Sequence, residues 1–109
     1  MTGQPYQEFW HLFNAEKFFE AHEVLETLWL KTKGPERDFY QGLIQIAAAF
    51  VHIQKGTPDG ARQLLKKASE KLEKFQPIFL DLEIKVFLRR VQLTLDSRAG
   101  FPKIQHLAL

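Results

Sequence analysis

His22, Glu26 and Trp29 stand at intervals of four and three within FFEAHEVLETLW, residues 18–29. On a helix of about 3.6 residues per turn these intervals bring an imidazole, a carboxylate and an indole to one face. Three chemistries fit such a face. The pair can tie helices together as a satisfied hydrogen-bond network, bind a metal or small ligand, or move a proton as an acid–base couple. With His22 set at 0°, Glu26 falls at about 40° and Trp29 at about −20°, while Glu20, Glu23, Thr27 and Lys31 cluster between about 100° and 180°. That division predicts that His22 and Glu26 point away from water and into a bundle, where a carboxylate must be paired.

Partners for the pair are sought on the next helix, DFYQGLIQIAAAFVHIQ. Gln41, Gln45 and His52 lie within about 40° of one another there, and Ala48 and Ala49 flank them with little side-chain bulk. If the two helices pack antiparallel across KTKGPE, His22 comes near His52, and Glu26 nearer Ala48 or Gln45. Two imidazoles and a carboxylate suffice as protein ligands for zinc, iron or manganese with open positions. The candidate metal ligands are therefore His22, Glu26 and His52. Gln41 and Gln45 would add hydrogen bonds, and Trp29 a packing wall. Arg37 is an alternative partner, since a guanidinium neutralises a carboxylate without any metal. His11 and His106 lie outside the pattern.

The elements that must hold these residues are punctuated by proline and glycine. Pro5 opens a first helix with the aromatic stripe Tyr6, Phe9, Trp10 and Phe13. The second runs from Glu16 or Lys17 to Thr32 and stops at Gly34–Pro35, and the third runs from near Pro35 to Lys55–Gly56. Apolar over most of its circumference, the third belongs in the middle. Thr57 reads as the N-cap of a fourth helix with Pro58 at its first position, turning Ala61, Leu64, Leu65, Ala68, Leu72 and Phe75 inward. A fifth helix after Asp81 buries Leu82, Val86, Phe87, Leu88, Val91 and Leu95. No segment alternates with period two, so the fold class is all-α: a single-domain antiparallel bundle of about five helices over residues 1–109, with an apolar tail at 100–109 that docks on the bundle or a neighbouring subunit, or moves.

Composition narrows the function. A chain of 109 residues with 45% apolar residues and ten phenylalanines has one modest core. Fifteen basic against thirteen acidic residues leave a net charge of +2, little support for nucleic-acid binding. Without cysteine, disulfides, thiolate metal sites and cysteine nucleophiles are excluded. No apolar run approaches the roughly 20 residues of a membrane span, so a cytoplasmic, membrane-free protein is expected.

HEVLETLW followed by GLIQIAAAFVH resembles the family called domain of unknown function 309, whose hallmark is a histidine, three residues, a glutamate, two residues and an aromatic. The resemblance covers roughly Phe13 to Leu72, and His22, Glu26 and Trp29 fall on the motif without a gap. It implies a small all-helical bundle and a metal-binding role for the motif, and it supplies no substrate. One departure is that Ala15 and Glu16 stand where a glycine is common after the asparagine, which would lengthen a helix.

The reading is a metal- or small-ligand-binding domain around this motif, as an enzyme a metal-dependent hydrolase in which the metal lowers the pKa of a bound water and Glu26 ligates it or acts as base. The contrasting reading is a non-enzymatic helical module whose polar cluster fixes helix register while an outer groove or the tail binds a protein partner or a second copy of the chain.

Overall fold

The computed structural model describes residues 3–97; the tail at 100–109 lies outside the described residues. Five helices make the fold: α1 (Gly3–Asn14), α2 (Phe18–Lys31), α3 (Glu36–Gln54), α4 (Pro58–Leu72) and α5 (Ile84–Ser97). The all-α class expected from the periodicity is the observed one. The third helix packs against both α2 and α4, as its nearly all-round apolar surface requires.

Two of the corners close in the same way. Beyond α3, Gly56 takes φ 78°, its N–H donates to the Ile53 carbonyl (3.1 Å), and the Thr57 N–H donates to the His52 carbonyl (2.8 Å). This is a Schellman closure, in which a left-handed residue lets two amides turn back onto the last carbonyls. The α1–α2 corner repeats it without glycine: Glu16 adopts φ 62°, and Glu16 and Lys17 donate to Phe13 and Leu12. The departure at Ala15 and Glu16 therefore does not lengthen α1, which ends at Asn14.

A continuous set of aromatic rings fills the core, with Tyr6 linking its two ends through Trp10 and Phe39, each at 6.2 Å between ring centres. Phe13 of α1 meets Phe18 of α2 at 5.1 Å and Phe50 of α3 at 5.5 Å between ring centres, and Trp10 meets Phe87 of α5 at 5.5 Å. At the other end Phe39 packs edge-on against Phe75 and Phe79. Phe79 belongs to an element the sequence did not announce, a hairpin of β1 (Ile78–Phe79) and β2 (Leu82–Glu83). Its two-residue loop, Leu80–Asp81, has both φ angles positive, the backbone twist that suits a tight hairpin. The Tyr6 hydroxyl donates to the Leu80 carbonyl at 2.9 Å and holds the loop against α1.

The hairpin corrects the expected fifth helix: Leu82 is buried in β2, and α5 begins at Ile84. Its inward residues are Ile84, Phe87, Val91 and Leu95, at spacings of three and four. Val86 lies one residue off that stripe and is 47% exposed. Phe75 sits in a separate 3-10 turn after α4. Among the described residues no helix is long and apolar enough to cross a membrane.

Candidate functional site

The buried residues of α2 are Phe18, Ala21 and Leu25. On the wheel that sets His22 at 0°, they centre near about −70°, so His22 lies on the flank of the inward face and Glu26 beyond it. The side chains follow: His22 is 26% exposed and Glu26 46%. The expectation that both point into the bundle is corrected accordingly. Glu20, Glu23, Thr27 and Lys31 are exposed as expected, but the inward face centres on Phe18, Ala21 and Leu25 and not on His22.

His22 Nε2 stands 3.6 Å from Glu26 Oε2, an ion-pair distance longer than a hydrogen bond. The other ring nitrogen, Nδ1, is buried and has no hydrogen-bond partner among the described residues. The same holds for Gln45 Oε1 and Trp29 Nε1. Gln41 is half-buried on the same stripe of α3. Arg37 does not reach Glu26. Its guanidinium lies over the Trp29 ring, 4.1 Å from the centre, a cation–π contact that gives Trp29 more than a wall's role.

The antiparallel pairing of α2 and α3 does bring the two histidines together. His22, His52, Ala48, Phe19, Val51 and Lys55 line one groove of about 190 Å³. At roughly 30 Å³ per water this is room for about six waters, below the roughly 300 Å³ at which drug-sized sites begin. Half the lining was legible as the His22, Ala48 and His52 of the sequence. Phe19, Val51 and Lys55 were missed, yet helical spacing marks them: Phe19 is three before His22, and Val51 and Lys55 are each three beyond Ala48 and His52. Phe19 is 56% exposed, its ring 5.9 Å from the His22 imidazole. Among the described residues no carboxylate lines the groove, and Glu26 lies outside it.

His52 is held by the closure at the end of α3. Thr57, expected as an N-cap, makes no side-chain cap bond to α4; its hydroxyl turns back, 3.1 Å from the His52 carbonyl and 2.8 Å from His52 Nδ1. Among the described residues, no three histidine, aspartate or glutamate side chains are grouped to hold a metal ion. The donors present are two imidazoles on facing helices and one ammonium, set in apolar walls. Such a groove can accept and donate hydrogen bonds to a small molecule while burying an apolar part of it.

The family model described as Domain of unknown function (DUF309) matches residues 6–64. An uncharacterized protein of Aquifex aeolicus (strain VF5) is 34% identical over 59 residues, 53% of this chain and 18% of that protein. The chain thus spans under a fifth of that relative's length. No solved structure matches.

Proposed function

The chain belongs to the family of Domain of unknown function DUF309, and we propose that within it this chain is a small-ligand-binding domain whose site is the α2–α3 groove. One observation carries the reading: His22 and His52, from different helices, line the same groove with Lys55 and the apolar Phe19, Ala48 and Val51. His22, the first residue of the His-x-x-x-Glu-x-x-Trp pattern, is thereby joined to a pocket of fragment size. Polar groups fix orientation and apolar walls supply burial, the usual division of labour in small-molecule sites.

The test uses para-fluorophenol as probe, followed by fluorine NMR and by amide shifts of the labelled protein. Binding is expected to move the resonances of Val51, His52 and Lys55. Ala48→Leu, which fills the groove with an apolar side chain, should abolish the shifts and leave the fold intact. Shifts confined to other surfaces, or unaffected by Ala48→Leu, would sink the proposal. Stoichiometric zinc, iron or manganese uptake that displaces the probe and is lost in His22→Ala would instead assign the groove to a metal on His22 and His52.

A further inference from the structure

A threonine hydroxyl has one proton, and the Thr57 hydroxyl lies within reach of two acceptors, the His52 carbonyl at 3.1 Å and His52 Nδ1 at 2.8 Å. If it bonds both, its proton goes to the carbonyl, which can only accept. Nδ1 must then carry a hydrogen and donate to the hydroxyl oxygen. A neutral imidazole with Nδ1–H leaves Nε2 with a free lone pair. No side chain among the described residues bonds to Nε2.

The geometry is enforced from two sides. The closure at Gly56 places Thr57 beneath His52 through the backbone, independently of any side chain. From α4, Gly60 abuts the ring: a β-carbon there would stand 2.8 Å from Nδ1, 2.9 Å from Cε1 and 3.2 Å from Cγ. Only a residue without a side chain lets the imidazole lie in this position.

We infer that Thr57 and Gly60 are positioning residues that hold His52 as the Nδ1–H tautomer and make Nε2 the groove's hydrogen-bond acceptor. The groove then selects small, partly apolar molecules that carry a donor, a hydroxyl or N–H group. The ligand half of this inference rests on the proposed binding groove; the tautomer half does not.

Nitrogen NMR of the imidazole ring, recorded where His52 is neutral, separates the two halves. Wild type is expected to show a pyrrole-type Nδ1 and a pyridine-type Nε2, the reverse of the form favoured by histidine in water. Thr57→Val should shift the ring toward Nε2–H, and Thr57→Ser should restore the wild-type pattern. Para-fluorophenol should bind wild type roughly tenfold more tightly than para-fluoroanisole, the worth of one donated hydrogen bond, and the gap should close in Thr57→Val. An Nε2–H ring in wild type overturns the inference whatever binds. Equal binding of phenol and anisole overturns the acceptor role. Failure of both probes to bind, with the tautomer as expected, overturns the ligand half and the groove reading together.

Discussion

Gly60 of α4 and His52 of α3 are in such close approach that a methyl group at position 60 would fall 2.8 Å from the imidazole Nδ1. Gly60→Ala must therefore displace the ring, while the alanine gains about 1 kcal/mol of helix propensity. The two effects oppose, and the stability change should stay within about 1 kcal/mol. The His52 ring resonances should nevertheless move. A variant of unchanged imidazole spectrum would show that the contact is soft and Gly60 is not needed for the ring's position.

Glu26 is half exposed and pairs with His22 at 3.6 Å on one helix surface. Exposed pairs of this kind contribute at most about 0.5 kcal/mol. Glu26→Gln should thus leave the denaturant midpoint nearly unchanged. A loss above about 2 kcal/mol would mean that the carboxylate has a buried role that this geometry does not contain.

Both tyrosines of the chain sit in the core, and burial pushes Tyr40 up from 10.0 to about 12 and raises Tyr6 as well. Below pH 10 folded and unfolded chains hold the same phenolic protons, so the full stability is present. As pH rises from 10 toward 12 the unfolded chain releases protons that the folded one keeps, and stability falls. Phenolate absorbance should therefore appear only with unfolding, above pH 10. The Tyr40 hydroxyl has no partner among the described residues, so Tyr40→Phe should cost nothing and gain up to about 1 kcal/mol. Phenolate absorbance rising at pH 10 in protein that is still folded would contradict the first expectation, and a lower denaturant midpoint for Tyr40→Phe would contradict the second.

Glu16 holds φ 62°, a conformation that crowds any β-carbon. Glycine there removes the crowding, and Glu16→Gly should stabilise the fold by roughly 0.5–1 kcal/mol, visible as a higher midpoint with unchanged slope. The hydrogen bond that the Gln54 side-chain amide donates to the Glu16 carbonyl, 3.0 Å, survives that change. A lower midpoint would mean that the glutamate side chain contributes more than the strain costs.

The helices were legible because glycine and proline mark their ends and three-to-four spacing marks their faces: α4 begins at Pro58 as read, and α3 ends one residue before Lys55. The approach of His22 and His52 was legible too, since a short connection leaves antiparallel packing as the compact arrangement. Other features were not. The hairpin has only two residues per strand, too few to alternate, and its turn uses Leu80 and Asp81 where glycine or asparagine would have signalled it. Thr57 carries the signature of a cap, and its turn toward His52 depends on where the α3 closure sends the chain. The contact of Arg37 with Trp29 in place of Glu26 reflects which face of α2 the loop approaches, a tertiary fact without a local sign.

Phe87 of α5 closes over Trp10 and Phe13, at 5.5 and 6.1 Å between ring centres, and both α1 rings are wholly shielded from water. Phe87 lies beyond residues 6–64, the stretch on which family membership rests. The packed core therefore extends beyond the family signature in this protein. A fragment cut at the signature's edge would lay bare apolar ring surface whose burial, at 150–250 Å² per aromatic side chain and about 25 cal/mol per Å², is worth several kcal/mol. The burial of Trp10 and Phe13, inside the matched stretch, therefore depends on a residue outside it.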